Sequence, residues 1–371
     1  MSPTNLVDVE DVRSRVDAVL ASHVADLTVR LAASSSDAAP LADAVAQMLS
    51  GGKRLRAAFC YWAWRAHGGE VGSAASDMVV RVGAALELFQ AAALFHDDVM
   101  DDSDTRRGLP AAHRVFAALH EREGWNGDAR RFGEAAAILL GDLALVVSEE
   151  AFASATAGEP AAVAAPARAV FDLMRSEVTV GQYLDVLAQA LPWGEDPAAD
   201  EVRAREVIRA KSARYSVEHP LALGATLAGA TPEQVLALRE VGLPLGEAFQ
   251  LRDDLLGVFG DPAATGKPAG DDLLEGKRTV LVARAVARAR AAGDDATVDL
   301  VRAQLGQRDL DEPAVQELAR AIGVTGAPDD VEALIALLSA RAFDGLDRLG
   351  LTEPGHEMLV RLGHAAVDRH A

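Results

Sequence analysis

The chain has 371 residues, of which 50% are hydrophobic and 25% charged, with a mean hydropathy of +0.09. That composition excludes intrinsic disorder and collagen-like repeats and provides for a large core. Lys and Arg number 36 against 56 Asp and Glu, a net charge of -20, and such a field repels nucleic acid and anionic lipid.

From Met1 to Leu20 the chain carries four acidic residues and no apolar run of signal length, so no targeting segment is expected. The single cysteine, Cys60, cannot close an intramolecular disulfide or build a thiolate metal site, which points to the cytoplasm. Further on, apolar residues recur at three- and four-residue spacing, as in Val79-Val82-Leu86-Phe89. Breaks rich in Pro, Gly, Ser and Asp fall at Ser34–Pro40, Gly68–Ser73, Glu121–Asp128, Ala157–Pro166, Leu191–Asp200, Gly260–Asp272 and Gly323–Asp330. They predict roughly ten to twelve helices, and no alternating strand pattern is evident, so the chain is expected to be all-α. Ser76 or Asp77 is expected to cap a helix running to about Asp102, with Gly108-Leu109-Pro110 supplying its stop and the start of the next. The apolar stretches Val82–Phe95 and Ala135–Val147 are interrupted by Glu87 and Asp142 and fall short of the roughly 20 residues of a membrane span. None is expected to cross a bilayer.

The segment from His96 to Gly108 holds Asp97, Asp98 and Asp101 at three- and four-residue spacing, so on a helix the three carboxylates share one face within about 6 Å. Acidic groups at a helix C-terminus oppose the macrodipole by ~0.3 to 1 kcal/mol each, so a structural reason for them is hard to find. Hard oxygen ligands this crowded suit Mg²⁺ shared with a substrate phosphate. An EF-hand is excluded, because neither Asp98 nor Asp102 as first position puts the required Gly sixth and Glu twelfth. A second pair, Asp253-Asp254, again follows an apolar helix. Two aspartate-tipped helices facing one another would hold a polyphosphate through Mg²⁺ and neutralise it as it leaves.

Only four of the 36 basic residues are lysines: Lys53, Lys211, Lys267 and Lys277. Each stands beside Gly or polar residues, as in Gly51-Gly52-Lys53-Arg54-Leu55-Arg56 and Gly276-Lys277-Arg278-Thr279. A compact ammonium beside open backbone N–H groups suits phosphate. A nucleotide P-loop is excluded at Gly260–Pro268, where the glycines are spaced one residue too far and Pro268 replaces the Ser or Thr.

Together, GGKRLR at Gly51–Arg56, ELFQ at Glu87–Gln90, DDVMD with RRG at Asp97–Gly108, Lys211-Ser212, FQLRDD at Phe249–Asp254, and GKP with GKRT at Gly266–Thr279 resemble the trans-isoprenyl diphosphate synthases, also called polyprenyl synthetases. Six motifs stand in the family's order between residues 51 and 279. The resemblance implies a single all-α domain over residues 1–371 around a deep central cavity, usually a homodimer. It implies head-to-tail condensation of isopentenyl diphosphate with an allylic diphosphate. Asp97, Asp98, Asp101, Asp253 and Asp254 would hold Mg²⁺; Arg106, Lys211 and Lys267, with Lys277 nearby, the allylic diphosphate; Lys53, Arg56, Gln90 and Arg107 isopentenyl diphosphate. Gln250 and Ser212 would face the developing cation, with Phe249 at the substrate, and released diphosphate would take the proton.

Three positions depart from the usual pattern: Gly257 where a third Asp is common, Ser212 for Thr, and Gln90 for His. In the family the helix before the first aspartates lines the cavity in which the product grows. Ala92 and Ala93 leave its first turn open, and Phe89, about 12 Å deeper at roughly 1.5 Å per residue, would be the floor, favouring a C20 product. A terpene cyclase would need an Asn/Ser/Glu metal motif; only Asn5 and Asn126 exist, and neither begins one. A regulatory subunit would lack some of the principal aspartates or lysines, which are all present.

Overall fold

The computed structural model describes residues 8–260 and 270–368. In chain order the helices are α1 (Val12–Ser34), α2 (Ala39–Leu49), α3 (Leu55–Ala66) and α4 (Ala74–Met100). A two-residue hairpin, β1 (Thr105–Arg106) and β2 (Leu109–Pro110), leads to α5 (Ala112–Arg122), α6 (Ala129–Thr156), α7 (Ala161–Ala190) and α8 (Pro197–Val207). A π-helical segment, Ile208–Glu218, joins α8 to α9 (His219–Leu227). Then come α10 (Pro232–Phe259), α11 (Asp271–Glu275), α12 (Val280–Ala292), α13 (Asp295–Gln304), α14 (Glu312–Val324), α15 (Ala327–Arg348) and α16 (Gly355–Val367). The all-α expectation holds, with the hairpin as the one exception among the described residues.

Contacts divide the chain into two compact units. The first comprises the chain up to Phe171 with Pro220–Leu236 and Gly350–Leu362, the second Asp172–His219, Ala237–Leu349 and the residues from Gly363 onward. The first unit is built on α4 and α6, around the fully buried Phe59, Tyr61 and Trp62 of α3. Glycines let its helices close. A Cβ on Gly83 would stand 2.9 Å from Ala57, and one on Gly224 2.0 Å from the Cys60 carbonyl. In the second unit, Arg252 of α10 is buried and donates to the Val367 carbonyl at 2.9 Å and to Glu332 at 2.7 Å, fixing α10 to α15 and α16.

Capping follows local chemistry, with one correction. Ser73, not Ser76 or Asp77, caps α4 by accepting from the Ser76 N–H at 3.1 Å, while Arg15 takes up both Ser76 and Asp77. The helix stops at Met100 rather than Asp102, because Asp102 adopts a left-handed φ of 49°. Leu109-Pro110 is strand, not helix start. At 27 residues, with an 18-residue stretch of mean hydropathy 1.6, α4 is long and apolar enough to span a bilayer. It is nonetheless mostly buried within its own unit, and the charge that interrupts it, Glu87, lies in a salt bridge with Arg54 at 3.5 Å.

Candidate active site

In the first unit the last turn of α4 presents the aspartates. Asp98 and Asp101 are buried and Asp97 half-buried. The chain then reverses through Arg107 (φ 55°) and Gly108 (φ 76°), two consecutive positive-φ residues between paired strands, the geometry of a type I′ turn. This turn carries Arg106 back over the helix end. Its Nε donates to Asp98 Oδ1 at 2.7 Å, and its Nη2 lies 3.3 Å from Asp97 Oδ2. Asp102, outside the predicted metal set, is instead held by Arg114 at 3.0 Å. His96 bonds the Ile138 carbonyl at 3.1 Å in space that a side chain on Gly141 would fill, which seats the start of the motif on α6.

The GGKRLR loop is fixed by Arg54, which bonds Asp17 at 2.7 Å, the Leu49 carbonyl and Glu87. Lys53 is exposed and Arg56 half-buried. Arg107 reaches the loop, donating to the Met48 and Ser50 carbonyls at 3.0 and 3.1 Å. Burial first, then the charges of Arg54, Arg106 and Arg56, lower the Arg107 pKa from its usual value. A cluster of guanidinium groups in a chain of net charge -20 is a place prepared for an anion.

In the second unit Lys211 and Ser212 lie on the π-helical segment, a rare geometry that recurs at functional sites. Two glycines make room for it. A Cβ on Gly181 would meet the Lys211 backbone nitrogen at 2.3 Å, and one on Gly246 the Ala213 carbonyl at 2.3 Å. Lys211 Nζ bonds Asp185 Oδ2 at 2.6 Å. The segment's far end is locked by His219, whose Nε2 lies 2.6 Å from Glu177, itself bound by Arg214 at 2.8 Å. Neither Asp185 nor the π geometry is legible in the sequence; the only signal is Gln182 and Asp185, two polar residues three apart within an apolar helix.

At the end of α10, Asp253 is half-buried and Asp254 buried. Burial, and next the charge of Asp272, push the Asp254 carboxyl up to about 8, while Gln250 donates to its Oδ1 at 2.8 Å. Gln250 has therefore committed its amide nitrogen, and its carbonyl oxygen is the end that can turn toward positive charge. Arg252 anchors this turn as described. Phe249 is half-buried, and Lys277 pairs with Asp272 at 3.4 Å and with Glu275. Lys267 lies outside the described residues. On α4, Ala93 and Gln90 share the half-open face with Asp97, whereas Ala92 and Phe89 are buried.

Among the described residues, no three His, Cys, Asp or Glu converge as a ready-made metal cage. The donors nonetheless fit Mg²⁺, which takes one or two carboxylates and completes its shell with water and substrate phosphate. They are all oxygen, and the burial and neighbouring Asp272 charge that raise the Asp254 carboxyl make a place where the ionised form calls for a cation.

A polyprenyl synthetase family model matches residues 38–322. The geranylgeranyl diphosphate synthase of Mycobacterium tuberculosis is 35% identical over 265 residues, 71% of this chain and 67% of its own. The geranylfarnesyl diphosphate synthase of Aeropyrum pernix is 32% identical, over 84% and 88% respectively. Among solved structures, geranylgeranyl pyrophosphate synthase of Corynebacterium glutamicum, complexed with isoprenyl diphosphate and magnesium, superposes with a TM-score of 0.90 at 35% identity over the whole of both chains. The chain belongs to the polyprenyl synthetase family. It is a prenyltransferase that makes a trans-prenyl diphosphate.

The lock on the π-helical segment has a pH signature. Burial is the largest cause lowering the His219 pKa, to about 4, so this group contributes stability above its usual 6.5 that is lost as pH falls toward 4. Glu218, raised by burial, works in the opposite direction. The expected result is therefore a difference: in denaturant titrations between pH 7 and 4, wild type should lose up to about 1.4 kcal/mol per pH unit more than His219→Gln. Parallel curves would show that folding does not lower the His219 pKa.

Proposed function

We propose that the chain makes geranylgeranyl diphosphate by adding isopentenyl diphosphate to allylic diphosphates. The observation that carries this product length is the pair of small residues, Ala92 and Ala93, above the buried Phe89 on α4. Similarity to geranylgeranyl diphosphate synthases at 35% identity supports it. Octaprenyl diphosphate synthase of Escherichia coli, 32% identical over 86% of both chains, keeps a longer product as the second reading.

Asp97, Asp98, Asp101, Asp253 and Asp254 are the residues that would hold Mg²⁺, and when bound the ions would supply charge neutralisation for the departing diphosphate. Arg106, Lys211, Lys267 and Lys277 are assigned to that diphosphate, as donors aimed where charge accumulates. Lys53, Arg56, Gln90 and Arg107 are assigned to isopentenyl diphosphate; the crowding of positive charge on Arg107 supports this. Gln250, through its carbonyl oxygen, and Ser212 would face the cation, with Phe249 at the substrate. The proton lost at the end needs no protein base, since released diphosphate can accept it.

The family match runs through segments of both units, which supports reading the chain as one functional domain. Self-association is proposed through α6, where Phe132, Leu139 and Val146 stand exposed at seven-residue spacing and Leu139 is 62% exposed. The cytoplasm is the proposed compartment, on the evidence of the single, buried Cys60.

Incubation with isopentenyl diphosphate, Mg²⁺ and dimethylallyl, geranyl or farnesyl diphosphate should yield geranylgeraniol after dephosphorylation, read by mass. Phe89→Ala should lengthen the product by at least one isoprene unit. An unchanged distribution would place the floor elsewhere, and failure to elongate any primer would sink the assignment. Separately, Leu139→Asp should halve the sedimenting mass of a dimer; a variant that sediments like wild type removes α6 as the contact.

A further inference from the structure

Lys277 stands in the short link between α11 and α12, Gly276-Lys277-Arg278-Thr279, outside both helices. Its direction is set by its neighbours. On one side Gly276 has a φ of 80°, and a Cβ there would fall 2.9 Å from the Gly306 Cα, so the two backbones meet just beyond α13. The Gly306 N–H donates to the Leu273 carbonyl at 2.9 Å and holds that approach.

On the other side the Arg278 guanidinium lies 4.3 Å from the centre of the Trp193 ring, in the loop between α7 and α8, and its Nη1 donates to the Pro192 carbonyl at 3.4 Å. Burial weighs against the Arg278 cation, Asp200 favours it, and the charges of Arg203 and Arg302 oppose it. An aromatic face stabilises such a cation without adding a further charge. Trp193 is itself held in place. Arg302 of α13 lies 5.8 Å from the ring centre and donates to the Gly194 carbonyl at 2.9 Å, which Arg290 of α12 also bonds at 3.4 Å. The space left between Trp193, Asp200, Arg203 and Arg278 is about 10 Å³, room for one water at most, so the stacked groups fill their place.

We propose that Trp193 is a positioning residue for diphosphate binding: by holding Arg278 on its face it fixes the link opposite the Gly276–Gly306 contact, and with both flanks fixed Lys277 is aimed. The proposal rests on the prenyl diphosphate synthase reading and on the assignment of Lys277 to the allylic diphosphate. Both sides of the clamp trace to α13, since Arg302 lies on it and Gly306 follows its end. A helix that carries none of the six motifs thereby takes part in the site.

The test is steady-state kinetics of the full chain with each substrate varied in turn, combined with a double-mutant cycle. Trp193→Leu should raise the KM for the allylic diphosphate about three- to thirtyfold, the range of a partly desolvated cation–π contact, and leave the KM for isopentenyl diphosphate within about twofold. Trp193→Phe, which keeps an aromatic face, should recover most of the loss. In a Lys277→Ala background Trp193→Leu should cost nothing further, an outcome that a merely structural role would not give. If Trp193→Leu does not fold, Arg278→Met carries the test by taking the cation off the ring. Equal rises in both KM values, losses that add in the double variant, or wild-type kinetics in Trp193→Leu overturn the proposal while leaving the synthase reading intact. A wild-type chain that elongates no allylic primer would bring down both.

Discussion

Asp98 has its side chain almost wholly out of water, between Asp97 and Asp101 in sequence, and a carboxylate so placed needs a cation. Arg106 meets that need. Much of the surrounding architecture serves this contact: the left-handed turn at Asp102 that ends α4, the two positive-φ residues of the hairpin, and the hold of Arg107 on the Met48 and Ser50 carbonyls. The same guanidinium that balances the aspartates is assigned to diphosphate. A group already held beside the carboxylates loses little conformational freedom when a third charged species arrives, and this preorganisation favours binding.

Legibility in the sequence followed the range of the interaction. The helices were readable because three- and four-residue periodicity is local, and the aspartate motifs because their spacing places like charges where only a cation makes sense. The hairpin was missed because two residues per strand carry no alternation. Its turn signal, Arg107-Gly108, lacks the Asn or Asp usually found before the glycine. The cap of α4 falls three or four residues before the expected one because Ser73, Ser76 and Asp77 are all capping types, and only the position of Arg15 on α1 decides which of them are already engaged.

Structural roles hidden among functional motifs were harder to read. Arg54 and Arg252 sit inside GGKRLR and FQLRDD beside residues assigned to substrate and metal, yet each faces its own protein: Arg54 toward Asp17, Leu49 and Glu87, Arg252 toward Glu332 and Val367. In FQLRDD successive residues of α10 stand about 100° apart, and in GGKRLR Arg54 turns with a left-handed φ of 51° just before α3. One can then bind outward while the next pins the turn inward. Such a motif therefore specifies a rigid anchor and a binding group together, and composition cannot say which is which.

The glycines show the same division from the other direction. Gly181, Gly246 and Gly257 look like weak points in long helices, and each is the place where another segment comes within a side chain's reach: the Lys211 backbone, the Ala213 carbonyl and the Asp272 carboxylate. A glycine in a helix interior gives up propensity, and it persists where the approach it permits contributes more than that loss. Sequence reports the loss, because propensity is local. The compensating contact is made by residues 15 to 33 positions away, beyond the reach of any local reading of the chain.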